Sequence, residues 1–343
     1  MLNFKDVKTL LSSPKKIVII PHTNPDADAL GSSLGLRGYL LKKNHPVNVI
    51  SPTDYPKFLN WMEGHKEVIV LNEKNESEID FFIQNAEIIF CLDFNSLKRI
   101  DHLGSLVEKS KAIKILIDHH LDPDDFADFS YASIDAAATA ELIYEFIVKL
   151  GDREFITPDI AENLYAGIMT DTGQFKYKNT TQNVHYVTAN LMELGADISK
   201  VGSLIYDTNS YSRLKFLGFA LSQRLTFLKE YNTAYIAINA CDLERFNSQT
   251  GDTEGLVNYA LSLENVILGV LISERNGEIR LSLRSKGDFS VNDLAKKHFN
   301  GGGHRNAAGG TSELPFEETV KKFENILSDY KEELNAQVHE FNI

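Results

Sequence analysis

The sequence predicts an α/β chain, with an N-terminal parallel-sheet domain and a smaller C-terminal α+β domain. Three observations predict it. Short continuous apolar runs recur through the first half, separated by helical patterns, as in a parallel sheet covered on both faces. After about residue 225, strand-like segments and a tight-turn dipeptide replace that rhythm. The 343 residues, 43% of them hydrophobic, favour two domains over one. We expect one domain over residues 1–195, a helical linker over 196–225 and a second domain over 226–343.

The elements follow in order. Residues 17–20 (IVII) read as a buried strand, followed by the polar stretch HTNPDADALGS and a helix through about Lys43. Further strands are expected at 47–50, 67–71, 88–92 and 113–117. The charged stretch 72–78 reads as a solvated loop or helix start. Helices are expected at 135–149, 158–169 and 182–194; Pro158 suits a first helical turn. Residues 197–224 read as a helical connector with a break near Asn209. Strands are then expected at 233–240, 266–273 and 279–285, with Asn276-Gly277 closing a hairpin between the last two. A short helix at 290–299 precedes GGGH at 301–304, and an amphipathic helix begins near Pro315.

Composition narrows the function. A net charge of -13 argues against a protein that wraps long nucleic acid, but permits a short nucleotide in a local cationic or metal-charged pocket. Two cysteines, Cys91 and Cys241, make a disulfide framework or thiolate zinc site improbable. The N-terminus has no secretory pattern, and no apolar run has the length to span a bilayer. A soluble, reducing, cytoplasmic setting is therefore expected, without a membrane partner.

Chemistry concentrates at the predicted strand ends. His22, Asp26 and Asp28 follow the first strand, Asp93 ends IIFCL, and Asp118, His119 and His120 end IKILI. Asp171 follows the helical segment GIM. Ligands of open parallel sheets bind beyond the C-terminal strand edge, so these segments converge on one rim. So many carboxylates repel one another unless cations or protons intervene. Two divalent metal ions relieve this best, and such a pair serves phosphoester hydrolysis. Nitrogen and oxygen donors without thiolate favour Mn2+, with Mg2+ or Co2+ as alternatives. Singly, each residue has a plainer reading: Asp26 or Asp28 as a helix cap, Asp118 or Asp171 as a turn residue, His119 or His120 as a structural histidine. Coincidence across four segments favours function.

The second domain offers cations and glycines. Gly301, Gly302 and Gly303 permit close approach of backbone amides to an anion, with His304 and Arg305 adjacent. Gly309 and Gly310 add a second flexible point. Arg280, Ser282 and Arg284 share one strand face; Arg284 suits bidentate phosphate binding, whereas Arg280 reads as a surface residue.

These residues resemble the DHH phosphoesterase family, in the branch with a C-terminal DHHA1 domain. HTNPDADALGS (22–32), LDF (92–94), DHH (118–120), GIMTDTGQF (167–175) and GGGHRNAAG (301–309) stand in the family's order, over nearly the whole chain. The resemblance implies one metal held by His22, Asp26, Asp93 and Asp171, and another by Asp28, Asp93, His119 and Asp171. It implies that Asp118 supports the site and that His120, Arg284, His304 and the glycine-rich loop lie near substrate phosphate. The chain's length resembles the bifunctional type that degrades very short RNA (nanoRNase) and removes the 3′-phosphate of 3′-phosphoadenosine-5′-phosphate (pAp). Linear or cyclic dinucleotide phosphodiesterase is the alternative activity; a non-catalytic nucleotide-binding regulator is the alternative class. The expected partners are short RNA, pAp or dinucleotides and not long duplex nucleic acid. A homodimer is admissible, though no sequence feature requires it.

Overall fold

Two sheets, each with its own helices, organise the chain. The computed structural model describes residues 3–249, 251–275 and 277–341. Contacts divide it into Met1–Thr208 and Asn209–Ile343.

The first unit contains α1 (Phe4–Leu10), β1 (Ile17–Pro21), α2 (Ala27–Lys42), β2 (Val47–Ser51), β3 (Val68–Val70), α3 (Glu76–Asn85), β4 (Ile88–Leu92), α4 (His102–Lys109), β5 (Ile113–Asp118), β6 (Phe129–Ala132), α5 (Thr139–Lys149), α6 (Pro158–Asp171), α7 (Gln182–Glu193) and α8 (Ile198–Tyr206). Its sheet runs β3-β2-β1-β4-β5-β6, every pairing parallel. Strand order reverses at β1, which pairs with β2 on one side and β4 on the other. β1 and β4 are buried at every position, so both read as unbroken apolar runs. Separate apolar clusters fill the two sides of the sheet: Ile17, Ile19, Phe90 and Ile115 face one, and Val18, Ile20, Ile89 and Leu116 the other.

α2 and α6 pack unusually closely. A Cβ on Gly31 would lie 2.3 Å from the Asn163 carbonyl oxygen, one on Gly35 2.6 Å from Leu164 Cδ2, and one on Gly38 2.7 Å from Ile160 Cγ1. These glycines lie on one helix face and let the backbones meet. The same seam brings Gly167 of α6 against Asp28 of α2.

The second unit contains α9 (Tyr211–Phe219), β7 (Leu225–Leu228), β8 (Thr233–Ile238), α10 (Ala240–Arg245), α11 (Leu256–Leu261), β9 (Leu268–Arg275), β10 (Glu278–Ser285), α12 (Val291–His298), β11 (Gly302–His304), β12 (Ala307–Ser312), α13 (Phe316–Ile326) and α14 (Lys331–Phe341). Its sheet order is β11-β12-β10-β9-β8-β7; β8–β9 is parallel and the other pairings are antiparallel. Arg275 pairs with Glu278 across the expected hairpin. Gly277 has φ 79°, while Asn276 lies outside the described residues.

Several expectations need correction. The helix expected from 135 begins at Thr139, because residues 133–136 form a hydrogen-bonded turn, with Ala136 N–H on the Ser133 carbonyl (3.3 Å). β6 and β7 were not anticipated; both are short and lack a continuous apolar run. Gly302–His304 form β11, and Gly309 and Gly310, expected as a flexible point, lie within β12. β11 pairs with β12, and a Cβ on Gly301 would lie 2.0 Å from the Gly309 carbonyl oxygen. These glycines serve close backbone approach.

Candidate metal centre

The Asp and His residues of the first unit gather at the carboxyl edge of its sheet, on both sides of the point where strand order reverses. β1 leads into His22, β4 into Asp93, and β5 ends in Asp118 with His119 and His120 directly after. Asp26 and Asp28 lie at the start of α2, and Asp171 is the last residue of α6. Ligand sites of doubly wound sheets form at this kind of crevice.

Asp93 is the centre. It has φ 63°, in the left-handed region that Asp tolerates better than most residues. Its carboxylate lies 3.4 Å from His22 Nε2 and 3.3 Å from His119 Nε2, and accepts the Thr139 hydroxyl at 2.9 Å. His119 Nε2 also stands 3.4 Å from Asp171 Oδ2 and 3.8 Å from Asp28 Oδ2. His22, Asp26 and Asp93 each offer a ligand atom within 4.8 Å of the others, and so do Asp28, His119 and Asp171.

The simpler roles weighed above exist beside this clustering. Asp26 caps its own helix, Oδ1 accepting the Asp28 and Ala29 amides at 3.0 Å each. Asp28 caps a different one: Oδ2 accepts the Thr139 amide at 2.7 Å and Oδ1 the Ala140 amide at 2.8 Å, at the start of α5. Ala138 precedes that helix without a side-chain cap of its own. Each carboxylate oxygen has more than one acceptor direction, so capping leaves capacity for a cation. His120 Nδ1 meets Asp118 Oδ1 at 2.7 Å, which fixes the ring. Asp118 Oδ2 is buried without a hydrogen-bond partner.

The charges of this cluster are interdependent. Burial, then the carboxylates of Asp93 and Asp171, push Asp28 well above the ordinary carboxylate range. Burial opposes ionisation of Asp93, but hydrogen bonds from His119 and His22 prevail and hold it well below that range. Burial would lower His119, yet Asp93, Asp171 and Asp28 together hold it well above an ordinary imidazole. His22 is raised likewise, burial being outweighed by Asp93. Without metal, protons must neutralise the cluster; divalent cations would do so with the same oxygen and nitrogen donors. The donor set therefore fits hard to borderline divalent ions.

In the second unit, Arg284 and Ser282 lie on the more open face of β10, between buried Leu281, Leu283 and Ser285. Arg280 pairs with Glu278 at 2.7 Å. Gly303, at φ 151°, donates its amide to Asn292 Oδ1 at 2.9 Å, so that N–H is already engaged by α12. Sequence reasoning missed Thr139, Gly167 and Asn292. Nothing in the spacing announces Thr139 or Asn292; the small-residue stripe of α2 was the available signal for the seam that places Gly167.

Residues 16–168 match the DHH family, N-terminal domain, and residues 232–336 match the DHHA1 domain. The bifunctional oligoribonuclease and PAP phosphatase NrnA of Bacillus subtilis is 30% identical over 295 residues, spanning 85% of this chain and 88% of that protein. The chain belongs to the DHH family. The probable bifunctional oligoribonuclease and PAP phosphatase NrnA of Streptococcus mutans is 27% identical over 314 residues, spanning 91% of this chain and 94% of that protein. An exopolyphosphatase-related protein from Bacteroides fragilis, known by crystal structure, is 40% identical with a TM-score of 0.90 and 97% coverage of both chains.

Proposed function

We propose that this DHH-family chain is a two-metal phosphoesterase that hydrolyses short oligoribonucleotides and removes the 3′-phosphate of pAp. The observation that carries the reading is the convergence of His22, Asp26, Asp28, Asp93, His119 and Asp171 at one sheet edge. Two relatives spanning most of its length carry the names bifunctional, or probable bifunctional, oligoribonuclease and PAP phosphatase.

In this reading His22, Asp26, Asp93 and Asp171 would hold one cation, and Asp28, Asp93, His119 and Asp171 the other, with Mn2+ favoured over Mg2+ or Co2+. Bound divalent cations supply Lewis acidity toward phosphoryl oxygen and make water a nucleophile near neutral pH. The protein's residues do the rest. Thr139 orients Asp93 by its hydroxyl. Asp118 fixes the His120 ring through Nδ1, and His120 would meet a phosphate oxygen. Arg284, His304 and Gly301–Gly303 would bind phosphate in the second unit, Arg284 by its fork of donors. The proposed setting is cytoplasmic, without a membrane partner; separately, no described helix is long and apolar enough to cross a membrane.

The test compares initial rates of the purified chain with Mn2+ on a 5′-labelled RNA dinucleotide, a longer RNA, pAp and cyclic di-AMP. Fast cleavage of the short RNA with phosphate release from pAp is expected. Preference for the cyclic substrate would reassign it to dinucleotide phosphodiesterases, and preference for the longer strand to processive exonucleases.

A further inference from the structure

A cleft of about 330 Å³ opens beside His120, lined also by Pro123, Ala132, Ser133, Ile134 and Asp135. It lies outside the acidic cluster but shares His120 with its edge. Ligand pockets begin at roughly this size.

Its wall is preformed. The Ser133 amide donates to the Asp118 carbonyl at 3.1 Å, fastening the wall to the end of β5. The Asp135 amide donates to Ser133 Oγ at 3.3 Å and closes the turn. On the other flank, Asn95 Nδ2 donates to the Leu121 carbonyl at 2.6 Å, and the Asp124 amide to the Asn95 carbonyl at 2.8 Å. Both flanks are therefore tied to segments that carry the Asp and His cluster.

Its lining is mixed in a specific way. Ile134 is 63% exposed, the highest of any large aliphatic side chain among the described residues. Pro123 and Ala132 extend the apolar surface, while Ser133, Asp135 and His120 place polar groups in the same cleft. A flat aromatic ring joined to a hydroxylated sugar matches that mixture. Such a ring covers apolar surface that water otherwise wets. Ile, Pro and Ala carry no side-chain hydrogen-bonding groups, so their contact cannot discriminate among ring edges.

We propose that this cleft is a base-tolerant nucleoside subsite: it holds the nucleobase of the nucleotide whose phosphate reaches His120, with Ile134 as its apolar wall. This rests on the nucleotide-hydrolase reading and adds where the base sits. Ile134 is a specificity residue that gives the site affinity for nucleotides over base-free sugar phosphates.

Calorimetric titration of the Mn2+-loaded full chain with adenosine 5′-monophosphate and with ribose 5-phosphate tests it, whether or not the protein turns over a substrate. The nucleotide should bind roughly tenfold more tightly than the sugar phosphate, the scale of one modest apolar contact. Ile134→Asn, polar but uncharged, should remove most of that gap by weakening the nucleotide alone. Uridine 5′-monophosphate should show a similar gap. Equal binding of nucleotide and sugar phosphate by the wild-type chain would overturn the subsite, as would equal weakening of both ligands in the variant. Because Ile134 is exposed, the variant should keep the wild-type melting temperature, and Ile134→Ala gives a milder second variant. Absence of hydrolysis alongside an intact nucleotide preference would sink the enzyme reading while sustaining the subsite.

Discussion

At Asp93, two imidazoles and a hydroxyl converge on one carboxylate, and the behaviour of the whole cluster follows from that arrangement. Removing the Thr139 hydroxyl as Thr139→Val keeps the side-chain volume but leaves Asp93 Oδ1 without that donor. Outer supports of metal ligands are worth roughly 10–100-fold. Thr139→Val should lose metal affinity on that scale, read by Mn2+ titration, with circular dichroism unchanged. Protonation gives a second prediction. His22 and His119 are both raised above the ordinary value of 6.5. Their contribution to the metal-free fold is complete below that pH and is lost as pH rises through the raised values. Asp28, raised above the ordinary 3.8, also favours the fold less once it must ionise. Asp93, depressed, acts oppositely, but only where pH falls toward its own low value. In chelator, the melting temperature should therefore fall as pH rises above about 6.5. Mn2+ should reverse the fall, since cations then hold the carboxylates; a metal-free chain equally stable at pH 6.5 and 8.5 would contradict this.

Secondary-structure elements act here as carriers that bring these groups together. α2 delivers Asp26 and Asp28, and α6 delivers Asp171, because glycines let the two helices meet. Gly167→Ala would place its Cβ 2.5 Å from Asp28 Oδ1 and 2.8 Å from Ala140 Cβ. Overpacking of this kind costs about 1–3 kcal/mol. Urea unfolding should show that loss, together with weaker Mn2+ binding because Asp28 is displaced. Gly31→Ala, set against the Asn163 carbonyl, should cost stability similarly while leaving Asp28 untouched directly. Much of this was legible beforehand. β1 and β4 are unbroken apolar runs, β5 is one interrupted only by Lys114, and each leads into His or Asp, so the convergence of these side chains could be read from the chain. DAAATAELI is helical in composition throughout, so the sequence predicts α5 four residues too long. Its true start is set by Asp28, more than a hundred residues earlier, capping the Thr139 and Ala140 amides. Local pattern cannot announce a cap supplied from another helix. The paired state of GGGH was hidden for a similar reason: the β12 backbone against which Gly301 packs is specified only in three dimensions.

For the whole molecule, the net charge of -13 and a cluster needing cations belong to the same account. Affinity for substrate must come from bound metals and a few local cations and not from a broad basic surface. The salt dependence of KM for a dinucleotide should therefore be shallow, with a log–log slope of about 0.7–1.4, because a single-strand contact releases only about 0.7 counterion per phosphate neutralised and a dinucleotide carries one or two. A slope near that of a protein gripping many phosphates would point to a long-strand enzyme. Hydrolysis assigned to the Asp and His residues at this sheet edge must depend on both the metal and these side chains. The most direct measurement is the Mn2+-dependent initial rate on a 5′-labelled RNA dinucleotide, for the wild-type chain and for Asp93→Ala at equal folded concentration. Wild-type turnover should be abolished by chelator, and the rate in the variant should be lower by roughly a thousandfold. Full activity in Asp93→Ala, or wild-type turnover indifferent to chelator, would contradict that dependence.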